Sequence, residues 1–154
     1  NFRLMQIVAN NKKAFFEYFI LEKIEAGIQL TGDEVKSLRV GKASIKEAYA
    51  EAKKGQLFLV NSDISNYEKA SGYSKLNSKR VRKLLVHKKE ISKLQGKIEK
   101  EGMTIVPLKL YFNNKGIAKV EIAIAKGKKL YDKREVKKKK DWNIQKKRLL
   151  KNIN

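Results

Sequence analysis

The chain has 154 residues and carries 37 Lys and Arg against 16 Asp and Glu, a formal net charge of +21, with one His and no Cys. The length suits one domain with a true core plus an appendage, and without Cys there is no disulfide framework, thiolate nucleophile or Cys-ligated metal centre. Such a charge attracts polyanions, nucleic acid before anionic membrane; no apolar run approaches the roughly 18 residues of a membrane span, and the stretch Asn1 to Ala9 is too short for a secretory signal, so the chain reads as soluble and intracellular.

In chain order, Tyr18 to Ile24 and Gly27 to Leu30 read as a strand pair folded about Glu25-Ala26-Gly27. A short helix is predicted over Asp33 to Leu38, with Thr31 or Asp33 near its cap and Val35 and Leu38 facing inward. Tyr49 to Lys53 and Gln56 to Val60 flank a Lys54-Gly55 turn. From Ser65 to Arg82 no periodicity holds, and Ser71-Gly72-Tyr73-Ser74 marks an irregular stretch; this predicts a long exposed loop in which Tyr67 and Tyr73 stand among Lys69, Lys75, Lys79, Arg80 and Arg82. Ile91, Leu94 and Ile98 recur at helical spacing over Lys88 to Glu101, and Gly102 is placed to end that helix. Val106, Leu108, Leu110 and Phe112 then alternate with polar positions, Asn113 to Gly116 supplies a turn, and Ala118, Val120, Ile122 and Ile124 alternate again. Pro107 cannot donate to a ladder, so it belongs at an edge or bulge. The chain is therefore expected to be mainly β with helices, an antiparallel β-barrel whose core takes Tyr18, Phe19, Phe58, Tyr111 and Phe112.

Residues 126–154 hold 13 Lys or Arg against 3 Asp or Glu, with too little apolar surface for a core. Two parts are expected: a barrel body over residues 1–125, and a basic C-terminal tail over 126–154 that is solvated and disordered when free. After Gly127 there is no Gly or Pro, and Trp142, Leu149 and Ile153 recur near helical spacing, so the tail can fold as a helix once phosphates neutralise it. Its apolar stripe is thin for a membrane surface. No active site stands out. His87 is the one imidazole, with Glu90 at i+3 as its only nearby carboxylate; there is no nucleophile elbow, phosphate loop or dinucleotide-binding Gly pattern, and no cofactor or metal is implied. The chain is expected to bind, not to catalyse.

The blocks Ile7-Val8-Ala9-Asn10, Tyr18-Phe19-Ile20, Glu25-Ala26-Gly27, Leu30 to Arg39, Arg82 to Lys88, Val106-Pro107-Leu108 and Lys126 to Arg134 together resemble the bacterial tmRNA-binding family, small protein B. The resemblance spans nearly the whole chain in order, and Gly-Lys-Lys-Leu-Tyr-Asp-Lys-Arg is its most specific segment. It implies an oligonucleotide-binding-like antiparallel β-barrel with flanking helices, and a cytoplasmic role in trans-translation. The partners it implies are the tRNA-like domain of tmRNA, elongation factor Tu in the delivery complex, and the decoding centre and empty mRNA channel of the 70S ribosome. Nothing in the sequence suggests a dimer seam, so a monomer is expected. A structural ribosomal protein or a general RNA-binding protein is the alternative.

By matching positions, the resemblance puts RNA contacts on Glu25, Leu85, His87 and Lys119. Glu25 is the odd member, because a carboxylate repels phosphate; it suits a base, a ribose hydroxyl or a neighbouring Arg. Without the resemblance Glu25 reads as a turn residue, and Leu85 reads equally well as core. The resemblance assigns Gly127, Lys128, Lys129, Asp132, Lys133 and Arg134 to ribosome engagement, with Tyr131 stacking on a decoding-centre base. Phe15-Phe16 stands where many members carry Arg-His, a departure that removes the basis for a charge contact there.

Overall fold

A computed structural model describes residues 5–66 and 77–128. Along it run β1 (Gln6–Asn10), α1 (Lys12–Glu17), β2 (Tyr18–Ile28), α2 (Gly32–Arg39), β3 (Ala43–Ser44), β4 (Tyr49–Lys53), β5 (Gln56–Val60), β6 (Asp63–Ile64), β7 (Arg82–Leu85), α3 (Lys88–Glu101), β8 (Thr104–Phe112) and β9 (Ala118–Gly127). The main sheet has the order β1-β8-β4-β5-β7-β2-β9, and β9 returns to pair with β8. That return makes an antiparallel barrel. Its seam between β4 and β8 rests on the single pair Ala50 with Ile105, so closure is loose.

Period-2 patterning explains the core. Val120, Ile122 and Ile124 of β9 point inward with Leu57 and Leu59 of β5, Leu84 of β7, and Ile105 and Leu110 of β8, all essentially inaccessible. The α3 face carrying Ile91 and Leu94 covers one side of this core and stops at Gly102, whose φ of 63° lies in the left-handed region that glycine tolerates. Lys54 and Gly55 both have positive φ, 51° and 72°, which joins β4 and β5 through a tight turn with the twist the flanking strands require.

Pro107 sits at a register shift of β8 against β9. The carbonyls freed there do not go unpaired: Asn11 donates from Nδ2 to Pro107 O (2.9 Å) and from its backbone N–H to Leu108 O (2.8 Å). Asn11 also caps α1, accepting from Ala14 N–H at 3.3 Å. One buried side chain thus fixes α1 onto the bulge, over a second apolar cluster of Ala14, Val106, Leu108, Ala123 and Ala125.

Three expectations are corrected. The strand pair about Glu25-Ala26-Gly27 is instead one eleven-residue strand, β2, because those residues pair straight across with Glu121, Val120 and Lys119 of β9. The Ser65 to Arg82 stretch does not stay irregular and exposed to its end: Arg82 opens β7 and is fully buried. Of the aromatics expected in the core, Tyr111 and Phe112 are buried and Tyr18 and Phe58 half-buried, whereas Phe19 is 42% exposed near the free end of the β2–β9 ribbon. Strand β1 and helix α1 emerge as elements that periodicity did not mark. Tyr67, Lys69, Tyr73 and Lys75 lie outside the described residues.

Arg82 is buried because its polar hydrogens are taken up. Nε donates to Glu34 Oε2 (2.6 Å), Nη1 to Ser62 O, Ser62 Oγ and Arg80 O, and Nη2 to Ser78 O. Glu34 in turn completes a capping box with Thr31 at the start of α2 and accepts from Arg80 Nη2 at 2.5 Å. Burial alone would raise the Glu34 carboxyl, but the bonds from Arg80, the Thr31 N–H and Arg82 hold it below its ordinary value. Removing one partner strands a buried charge, so Glu34→Gln should lower stability by about 3 to 5 kcal/mol in denaturant titrations at neutral pH. Because the folded carboxyl is the stronger acid, its contribution is full above about pH 4.5 and is lost as pH falls through the lower folded value. Stability measured from pH 7 to 3 should therefore drop less steeply in Glu34→Gln than in the wild type.

Candidate nucleic-acid interface

On the outer face of the barrel the strand registers align four side-chain positions in one row. Tyr111 of β8 lies opposite Lys119 of β9, Lys119 opposite Gly27 of β2, and Gly27 opposite Leu85 of β7. The next row holds Lys109, Glu121 and Glu25. Directly opposed residues share a face, so Glu25, Lys119 and Leu85 are brought together by pairing alone.

These rows border an open groove of about 1220 Å³, lined by Glu22 to Glu25 and Gly27 of β2, the Lys54-Gly55-Gln56 turn, Lys83 to Leu85 of β7, the first turn of α3, and Lys119 of β9. Gly27 approaches β7 closely: a β-carbon there would lie 3.2 Å from Leu85 Cβ, so Leu85 would have to move slightly to admit a side chain. Leu85 is 48% exposed, an apolar surface facing the groove and not the core. His87 is the exposed N-cap residue of α3; its side chain makes no capping hydrogen bond, while its carbonyl accepts from Ile91 N–H at 3.0 Å.

Glu22, Glu25 and Glu90 line the groove beside Lys23, Lys54, Lys83, Lys88 and Lys119, so cations outnumber carboxylates there. Glu22 is paired with Lys93 (2.6 Å), and Glu25 accepts a short hydrogen bond from the Tyr111 hydroxyl. Lys54, Lys83, Lys88 and Lys119, by contrast, have no carboxylate partner among the described residues. Unpaired cations along a groove, beside an apolar surface and an imidazole, suit a phosphate backbone with an exposed base. Among the described residues no group of three or more His, Asp or Glu could hold a metal ion, and no helix is long and apolar enough to cross a membrane.

A family model described as SmpB protein matches residues 8–152. The chain belongs to the SmpB family. It is 55% identical over 148 residues to the SsrA-binding protein of Nitrobacter winogradskyi, spanning 96% of this chain and 94% of that one. It is 55% identical over 150 residues to the SsrA-binding protein of Rhodopseudomonas palustris strain HaA2, with coverages of 97% and 95%. A chain in a solved structure described as "tmRNA-SmpB: a journey to the center of the bacterial ribosome" superposes with a TM-score of 0.65 at 50% identity, covering 77% of this chain and 82% of that one.

The structure brings the SmpB-like positions Glu25, Leu85, His87 and Lys119 to a single groove. Sequence reasoning missed Tyr111 as the partner of Glu25 and the cations Lys54, Lys83 and Lys88; period-2 counting within the predicted hairpin puts Tyr111, Lys119 and Glu121 on one face, but no sequence signal lays β2, and with it Glu25, along the other edge of β9. At the other end of the ribbon, β9 continues through Lys126 and Gly127, opposite Phe19 and Tyr18. Lys128 donates to Phe15 O at 3.1 Å and stands 5.2 Å from the centre of the Phe19 ring. Phe15 is 46% and Phe16 80% exposed. Lys129, Tyr131, Asp132, Lys133, Arg134 and the helix expected beyond them lie outside the described residues.

Gly27→Val should push Leu85 outward. We expect a loss of about 1 to 3 kcal/mol in stability and the largest amide shift changes at Leu85 and Lys119, read by denaturation and heteronuclear NMR.

Proposed function

We propose that this SmpB family protein binds the tRNA-like domain of tmRNA through the groove between β2, β7 and the start of α3, and carries that RNA, with elongation factor Tu, to stalled ribosomes as a cytoplasmic monomer. The observation that carries this reading is the convergence of Glu25, Leu85, His87 and Lys119 on one groove lined by unpaired lysines. The lysines draw the phosphates, and Leu85 with His87 offers a surface on which an unstacked base can rest. The protein's work in this reading is recognition and delivery.

The body and the tail divide the labour. Lys119 and Gly127 are eight residues apart on β9, which at strand rise is roughly 27 Å. The tail therefore starts well away from Lys119, beyond the Glu22 end of the groove, which leaves it able to reach a second partner while the groove is filled. In this reading the tail beyond the end of β9 enters the empty mRNA channel downstream of the decoding centre and folds there as a helix, with Gly127, Lys128, Lys129, Tyr131, Asp132, Lys133 and Arg134 at the entrance. A ribosome whose channel still holds mRNA would have no room for it.

The triple variant Lys54→Ala, Lys83→Ala, Lys88→Ala should weaken binding to the tRNA-like domain and reduce the slope of log K against log salt by about 2 to 3, each lost phosphate contact removing slightly under one unit. Sequencing of RNA co-purified with the full chain should return tmRNA; ribosomal RNA in proportion to all ribosomes, or unselected RNA, would refute the assignment. Deleting residues 136–154 should leave capture of the tRNA-like domain within about twofold while abolishing tagging of stalled chains, and loss of capture in a folded body would refute the division of labour.

A further inference from the structure

We infer that Tyr111 is a positioning residue for RNA recognition: from the far side of β9 its hydroxyl holds Glu25 as an aimed, charged acceptor that takes a hydrogen-bond donor of the RNA and turns phosphate away. This rests on the groove being the RNA site, and it adds to that reading a residue that lines no part of the groove.

Glu25 lies directly opposite another carboxylate, Glu121. Two lysines stand near Glu121: Lys109 of the same row is 3.9 Å from its oxygens, and Lys23, which pairs with Ala123, is 4.0 Å away. What Glu25 receives is the neutral hydroxyl of Tyr111, a residue only 5% exposed that reaches over β9 to Glu25 Oε2. Burial first, and then the Glu25 carboxylate, raises the Tyr111 phenol well above its ordinary value, so it stays a donor throughout the physiological range.

A neutral donor does something a lysine could not. It fixes the direction of the carboxylate without cancelling its charge, and Oε1 is left with no hydrogen bond among the described residues. In a groove whose lysines draw phosphates, a carboxylate fixed in direction favours a segment that presents an O–H or N–H at that point. Donors of that kind on RNA are the ribose 2′-hydroxyl and the base amino or imino groups. Lys119 lies in register between Tyr111 and Gly27, so a phosphate contact and the acceptor stand side by side, which sets the position of the strand along the groove.

The test compares the full-chain wild type with Tyr111→Phe, Glu25→Gln and the double variant, each binding the transcribed tRNA-like domain. Tyr111→Phe removes one oxygen and keeps the ring; its far-UV spectrum and denaturation midpoint are recorded alongside. It should weaken binding roughly 3- to 10-fold, the scale of one lost hydrogen bond, with an unchanged salt slope, because no phosphate contact is removed. In the Glu25→Gln background the same change should cost less than about twofold, since Tyr111 acts through Glu25. Substituting the RNA distinguishes the donors: one 2′-deoxy position, or one base analogue lacking its amino or imino hydrogen, should weaken the wild type and be without effect in both single variants. Wild-type affinity in Tyr111→Phe alongside a weakened Glu25→Gln would overturn the inference and leave the RNA site intact, as would additive losses in the double variant. Unchanged binding in Glu25→Gln and in the triple lysine variant together would instead overturn the RNA site itself.

Discussion

The buried guanidinium of Arg82 is the constraint on which the rest of the molecule depends. Taking a charge out of water is costly unless every polar hydrogen finds a partner, and here the partners come from Glu34 on α2, Ser62 beside β6, and the carbonyls of Ser78 and Arg80. Meeting those demands locks three separated pieces of chain in one arrangement. Burial lowers the Arg82 pKa from its ordinary value, while Glu34 opposes that shift and keeps the pair charged. Hydrophobic burial could hold these elements together, but it is non-directional; a forked guanidinium also specifies how they are oriented.

That orientation matters because β7 begins at Arg82. The strand stands between β5 and β2 and carries Lys83 and Leu85 to the outer face before handing over to His87 and α3. A shift of β7 by one residue would turn Leu85 inward and Leu84 outward, removing the apolar surface from the groove. Gly27 completes the arrangement from the other side, since its missing side chain lets Leu85 pack close to β2. The binding surface is thus a by-product of barrel register, with the groove's lysines left uncompensated instead of being paired as they are at Lys93 with Glu22 or Lys13 with Glu47.

Much of the fold was legible in the sequence. The hairpin of β8 and β9, the β4–β5 turn and helix α3 all follow from strong periodicity bounded by turn residues, and Thr31, one of the two caps expected for α2, is the one found. The misreadings share one cause. Glu25-Ala26-Gly27 has turn-like composition, yet cross-strand pairing with β9 holds it extended; Arg82 has the composition of a solvated loop, yet a distant carboxylate makes its burial possible. In both places a long-range partner overrode the local preference. The candidate site was legible by position through family resemblance, whereas Tyr111 and the groove lysines were not, because they join it from strands and turns far apart in sequence.

By itself the sequence determined the charge, the period of each strong element and the ordered motifs that mark SmpB, because these are properties of residues and their near neighbours. Only the tertiary structure decided that Glu25, Leu85, His87 and Lys119 meet, that Leu85 faces outward, and that Glu25 is held by Tyr111 instead of by a cation. Those facts depend on which strand lies beside which and in what register. Register is set by the joint packing of the barrel interior and the satisfaction of its buried polar groups, and no single segment contains that information.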